Sequence, residues 1–314
     1  MKTYIIGHQK PDTDATVAAL TFEHIFKQDS RWGHSDPVAC ITHELNLETQ
    51  FVFKKFEQAP LQLIKATDIQ PNDKIVLVDH NEEAQRLKSL NPDQIAGIFD
   101  HHKLNLNLNK PILTLTKPWG STCTISWWLM DLYKYSIPKK LATLMLCAIL
   151  SDTVGFKSGT TTNMDKSAAK NLAKIANITD IDTLTLEIFK AKSDLSSLSD
   201  EQIITKDYKN FDFSGKKVFI NQIETVEQED LLKNKKSALL AALKIYKQKE
   251  NLDLGFVAIT DVLKLNTKLL LPSETEIKLA ESAFGGKVED NLLDIGPKLS
   301  RKKDIAPIIE KALE

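Results

Sequence analysis

Four short apolar runs punctuate the first hundred residues: TYII, PVACI, KIVLVDH and IAGIFDHH. Runs this short, rich in Ile and Val and alternating with helical patterns such as residues 15–27 and 82–90, read as strands of a parallel sheet with crossover segments between them. This pattern constrains the chain more than any other feature. A parallel sheet points all its strands the same way, so whatever follows them gathers along one edge, where open α/β folds hold their ligands.

Two later stretches, STCTISWWLMDLYK and IPKKLATLMLCAILSDT, have helical apolar faces; Ser and Thr open the first and a proline opens the second. Trp127 and Trp128 are expected to pack in the core. From residue 187 to 202 the chain turns Ser- and Asp-rich, which places a domain boundary at residues 193–197. The expected division is residues 1–192, a hinge linker at 193–197, and a second domain at 198–314. The second part has strand patterns in KKVFINQIETV and LGFVAITDV, with helices over 229–249, over 274–283 and at the C-terminus.

A chain of 314 residues suits two domains, and 42% hydrophobic residues suffice for real cores. With 41 basic against 42 acidic side chains, no overall field invites nucleic acid or an anionic membrane, so any anion must be attracted locally. No apolar run approaches the ~18 residues of a membrane span, and the first residues lack a signal core; a cytoplasmic location is expected. Cys40, Cys123 and Cys147 form no CxxC pair and read as buried, reduced thiols.

The strand ends carry the chemistry. His8, Asp12 and Asp14 follow the first run, Asp79 and His80 end the third, Asp100, His101 and His102 end the fourth, and Asp152 closes the second long helix. Taken singly, each has an ordinary reading: Asp12 or Asp14 as a helix cap, Asp152 as a turn residue, the histidines as surface. Repetition at four element ends is harder to assign to four independent caps. Carboxylates mixed with imidazoles, without thiolates, suit Mn, Mg or Co, and such carboxylates repel one another unless cations are present. His8, Asp12, Asp14, Asp79, His101 and Asp152 are more donors than one ion needs, so two ions are expected. Paired divalent ions are suited to hydrolysing phosphoryl bonds.

GHQKPDTDA, VDHNE, DHHKL and ILSDT, in this order, resemble the DHH phosphoesterase superfamily, and SRKKD at residues 300–304 resembles the SRKKQ signature of family II, manganese-dependent inorganic pyrophosphatases. DYKNF at residues 207–211 resembles the segment supplying another lysine. Oligonucleotide-cleaving relatives carry a GGGH-type motif, whereas this chain has AFGGKVEDN. The resemblance implies an α/β fold: an N-terminal parallel-sheet domain with helices on both faces, plus a smaller C-terminal α/β domain with a mixed sheet. It implies metal ligation by His8, Asp12, Asp14, Asp79, His101 and Asp152, with Asp79 bridging and also catalytic, and His102 facing substrate. Lys209, Arg301 and Lys302 would bind the phosphates as the domains close.

The implied reaction is hydrolysis of inorganic pyrophosphate by a hydroxide activated between two Mn2+ or Co2+ ions, with additional Mg2+ or Mn2+ arriving with substrate. A homodimer through the N-terminal domain is expected, with neither nucleic acid nor membrane as partner. The alternative is an exopolyphosphatase or oligonucleotide phosphodiesterase of the same superfamily. Gln9-Lys10, Asp304 and FKSGTTT depart from the usual pattern; Asp304 is read as a cap of the last helix.

Overall fold

The run TYII forms β1 (Thr3–Ile6), buried along its whole length, as befits a parallel strand covered on both faces. In the computed structural model, which describes residues 1–314, β1 begins the first of two compact units, Met1–Lys192. There follow α1 (Thr13–Gln28), β2 (Pro37–Ile41), α2 (Leu47–Lys55), β3 (Gln62–Leu63), β4 (Lys74–Val78), β5 (Ile95–Asp100) and β6 (Leu113–Thr116). Four helices complete the unit: α3 (Thr122–Tyr133), α4 (Lys139–Asp152), α5 (Asn163–Ala176) and α6 (Ile181–Lys192). The strands lie in the order β3-β2-β1-β4-β5-β6, all parallel. Strand order reverses direction between β1 and β4, and a crevice opens past the carboxyl ends at such a switch.

The two faces of this sheet are covered unequally. Ile5, Val76, Val78 and Phe99 pack with apolar residues of all six helices, including Phe22 of α1 and Leu146 of α4. On the other face Ile6, Ile75, Leu77 and Ile98 meet Leu87 and Leu90, and the helical cover there consists of 3-10 turns such as Ala66–Asp68, Glu83–Gln85 and Pro92–Gln94. The helix expected over residues 82–90 is therefore a single 3-10 turn. Leu87 and Leu90 do face the core, but Ser89 takes a left-handed φ of 63° and Pro92 bars further helix. Arg86 is drawn inward, its guanidinium donating to the Asn81 carbonyl at 2.8 Å.

The second unit, Ser193–Glu314, contains α7 (Asp200–Lys206), β7 (Tyr208–Phe213), β8 (Lys216–Thr225), α8 (Gln228–Lys249), β9 (Leu254–Asp261), β10 (Asn266–Leu270), α9 (Glu274–Phe284), β11 (Leu292–Asp294) and α10 (Ala306–Ala312). Its sheet, ordered β11-β10-β9-β8-β7, is mixed: β8 and β9 are parallel and the other pairs antiparallel. The parallel pair requires a long crossover, and α8 supplies it, burying Leu232, Leu239, Leu243 and Tyr246 at helical spacing. α9 and α10 cover the opposite face through Ala280, Ala306 and Ile309. No helix of the chain is long and apolar enough to cross a membrane.

Close contact between β1 and α1 depends on one missing side chain. A Cβ at Gly7 would lie 2.7 Å from the Ala15 Cβ and 3.1 Å from its carbonyl oxygen, well inside normal contact distance. Gly7→Ala should therefore push α1 away from the sheet and lower the unfolding free energy by ~1–3 kcal/mol, measured by urea denaturation. An unchanged midpoint would mean that α1 has slack at this point.

Candidate metal centre

Each candidate donor is aimed by the element that carries it. Asp12 is the N-cap of α1: its Oδ1 accepts from the Ala15 N–H at 2.9 Å, and its Oδ2 lies 3.7 Å from His8 Nε2. The capping reading and the donor reading thus use different oxygens of one carboxylate. Asp14 caps a different helix from its own, accepting from Thr122 N at 2.6 Å, Cys123 N at 3.0 Å and Ser121 Oγ at 2.6 Å at the start of α3. The positive end of a helix is a favourable neighbour for such an anion. Asp152 is the last residue of α4, where the helix dipole disfavours an acid, so its place there calls for another compensation.

Asp79 is the centre of the arrangement. It leaves β4 with a left-handed φ of 61°, a conformation costing ~1–2 kcal/mol in a residue with a side chain, and it is 1% exposed. Its Oδ2 lies 3.6 Å from His8 Nε2, and its Oδ1 lies 3.2 Å from His101 Nε2 and accepts from Thr122 Oγ1 at 3.0 Å. Three overlapping groups have donor atoms within 4.8 Å of one another: His8, Asp12 and Asp79; Asp14, Asp79, His101 and Asp152; and Asp79, His101 and His102. Asp79 belongs to all three.

The histidines are oriented as ligands are. His8 Nδ1 meets the Gln9 carbonyl at 2.8 Å and His101 Nδ1 meets the Trp119 carbonyl at 2.9 Å. A carbonyl only accepts, so both Nδ1 atoms carry the proton and both Nε2 atoms face the carboxylates, the usual outer support of a metal-bound imidazole. His101 Nε2 is buried, with Asp79 Oδ1 3.2 Å away but outside good hydrogen-bond geometry. Donors ~2.1 Å from a shared octahedral cation lie ~3 Å apart, close to the 3.2–3.7 Å separations among His8, His101 and the carboxylates. The residues present therefore fit divalent cations. His8, Asp12, Asp79, His101, His102 and Asp152 line a cleft of about 330 Å³ with Gln85 and Thr160.

His102 stands beside this set. Its side chain is half exposed and lines the cleft, and its Nδ1 and backbone N–H both reach Asp100 Oδ1, at 2.9 and 3.1 Å. Asp100 is fully buried. Burial alone would raise its pKa, but bonds from His102 and from Asn81, the latter at 2.6 Å, bring it down to about 2. His80 lies outside the donor groups: it is buried on the Val78 carbonyl, and burial lowers its pKa to about 4. The sequence placed Asp100 among the strand-end acids without its partners, and showed Asn81 only as part of a quoted motif and Ser121-Thr122 only as a helix start. Their roles behind His102, Asp14 and Asp79 depend on tertiary contacts.

In the second unit Arg301 is held in place by its neighbours. Gln222 of β8 accepts from the Arg301 N–H at 3.0 Å while its own N–H donates to the Asp207 carbonyl at 2.9 Å. The guanidinium of Arg301 binds that carbonyl and the Asp207 carboxylate, both at 2.8 Å, so the SRKKD turn is fastened to the start of β7. Lys209 is exposed on β7, with Nζ 5.3 Å from the Phe211 ring, while Lys206 ends α7. Lys302 is exposed in a π-helical turn, Arg301–Ile305. Asp304 caps this turn by accepting from Ser300 N at 2.8 Å, one turn earlier than the last-helix cap expected from sequence.

Crowding sets the protonation of the donor groups. Burial and the charge of Asp14 raise Asp79 to about 7, and burial with the charges of Asp14, Asp12 and Asp79 holds Asp152 well above the carboxylate range. Burial alone would lower both imidazoles, but Asp12 and Asp79 lift His8 to about 9 and Asp79 lifts His101 to about 10. Near pH 7 without metal, both rings therefore carry protons that a cation must displace. Mn2+ uptake at pH 7 should release more than two protons per chain, the imidazole protons together with those held on Asp79 and Asp152, and affinity should rise with pH. Calorimetry in buffers of different ionisation enthalpy measures this; uptake without proton release would contradict it.

Comparison with known proteins agrees with this geometry. Residues 2–149 match the DHH family N-terminal domain and residues 186–312 the DHHA2 domain. The manganese-dependent inorganic pyrophosphatase of Methanocaldococcus jannaschii is 37% identical, with 98% of each chain aligned. That of Bacillus subtilis is 35% identical over 99% of each. A crystal structure described as a putative family II inorganic pyrophosphatase from Methanococcus jannaschii matches with a TM-score of 0.62 at 38% identity, covering 99% of both chains. The chain belongs to the family of manganese-dependent inorganic pyrophosphatases.

Proposed function

We propose that this protein hydrolyses inorganic pyrophosphate to two orthophosphates with manganese as its metal. The observation that carries this reading is the donor cluster around Asp79 in a chain of this family. In the finer reading the centre would be dinuclear: His8, Asp12 and Asp79 would hold one ion and Asp14, Asp79, His101 and Asp152 the other, since Asp79 Oδ2 lies nearest His8 and Oδ1 nearest His101. Mn2+ or Co2+ suits this mixed set, and further Mg2+ or Mn2+ would accompany the substrate. Bound cations there neutralise phosphoryl charge and lower the pKa of a water.

The chain's own groups complete the chemistry. His102, held through Nδ1 by Asp100, presents Nε2 to donate a proton to the departing phosphate. The hydrogen bond to Asp100 keeps the pKa of His102 raised even though burial lowers it. Arg301, Lys302 and Lys209 take up phosphate charge, with Arg301 already oriented by Asp207 and Gln222. Homodimerisation has an available surface in the edge strand β6, where Leu113 is exposed, as are Leu104 and Leu106 in the preceding loop; a monomer by sedimentation would remove that reading.

Metal-stripped protein reloaded with Mn2+ should release orthophosphate from pyrophosphate far faster than it cleaves tripolyphosphate or a dinucleotide. Asp79→Ala should lose turnover and bound metal together. Arg301→Ala should keep its metal and lose on the order of 10²-fold in kcat/KM. Cleavage of either competitor with pyrophosphate untouched would transfer the site to a different phosphoester substrate, and full activity in either variant would cancel the role given to that residue.

A further inference from the structure

One buried acid near the metal centre has no part in the mechanism above. Glu48, in the first turn of α2, is 2% exposed. Its Oε1 accepts hydrogen bonds from two hydroxyls on different helices: Thr13 Oγ1 at the start of α1, and Ser151 Oγ, at 2.6 Å, near the end of α4. Thr13 lies between Asp12 and Asp14, and Ser151 immediately precedes Asp152. Thr49 of the same turn adds a 3.0 Å hydroxyl contact to Thr13. The other oxygen, Glu48 Oε2, has no hydrogen-bond partner and faces a single cation, Lys192 Nζ at 3.3 Å, the last residue of α6.

A carboxylate so deeply buried is tolerated only when hydrogen-bonded and paired, and here those partners are the backbone neighbours of three candidate metal donors. From this we infer that Glu48 is a positioning residue for the metal centre. It locks the N-terminus of α1 to the C-terminus of α4, so that Asp12 and Asp14 from one and Asp152 from the other are held at ligand separation before metal arrives, and Lys192 compensates its charge. It touches neither metal nor substrate. Groups that orient a ligand in this way typically change metal affinity or activity 10–100-fold when removed.

The inference rests on the metal-site reading, and a metal-binding isotherm distinguishes the two. If wild-type protein takes up no Mn2+ in equilibrium dialysis, the metal-site reading fails. If wild-type protein binds Mn2+, Glu48→Ala should bind it ~10–100-fold more weakly and lose it faster to a chelator. The KM for pyrophosphate at saturating metal should move less than twofold. Glu48→Gln, which retains an acceptor for both hydroxyls, should recover most of the affinity. Should Glu48→Ala fail to fold by far-UV circular dichroism, the Thr13→Val/Ser151→Ala pair, which removes the two hydroxyls and leaves the carboxylate in place, gives the same reading. Wild-type affinity in a folded Glu48→Ala, or in that pair, would overturn the inference. A Glu48→Gln no better than Glu48→Ala would overturn it as well, because the acceptor geometry would then be irrelevant.

Discussion

The first unit is organised around a charge conflict. Asp14, Asp79 and Asp152 place donor oxygens within 4.8 Å of one another in a buried setting where like charges interact strongly. Left alone the cluster takes up protons: Asp79 and Asp152 are held above the usual carboxylate range, and His8 and His101 stay charged beside them. Divalent cations resolve the same conflict with positive charge that does not need protons. The fold therefore stores a site that is destabilised when empty, and its rigidity keeps the carboxylates from separating.

That rigidity comes from ordinary elements used at their ends. The parallel sheet brings the turns after β1, β4 and β5 to one edge at the point where strand order reverses. Gly7 lets α1 approach β1, which sets Asp12 and Asp14, and the N-terminus of α3 holds Asp14 and Asp79 from the opposite side. The second unit repeats the strategy with opposite charge: Gln222 and Asp207 fix an arginine at the SRKKD turn. Clustered acids in the first unit and an oriented arginine in the second are thus each held by hydrogen bonds from neighbouring elements.

Much of this was legible in the sequence because it is local. Strands β1, β2, β4 and β5 are short apolar runs, and the Asp and His residues that follow them needed only a parallel sheet to converge. The 3.6-residue pattern marked α1, α3, α4 and α8 within a residue or two. β6, with the sequence LTLT, and β7, with YKNFDF, alternate polar and apolar residues on half-exposed edge strands, which gives a weak signal. Residues 82–90 misled because Leu87 and Leu90 sit at helical spacing although the chain there turns at Ser89. Glu48, Thr122 and Gln222 were not legible as site residues: each acts through side-chain partners 35 or more positions away, a distance over which periodicity carries no information.

The central claim is that Asp79 is shared between two cation sites, and anomalous diffraction at the manganese edge from Mn2+-loaded crystals tests it most directly. The account predicts two peaks ~3.5–4 Å apart, one on either side of the Asp79 carboxylate, with His8 on one ion and His101 on the other. A single peak, or two peaks that do not share Asp79, would contradict it.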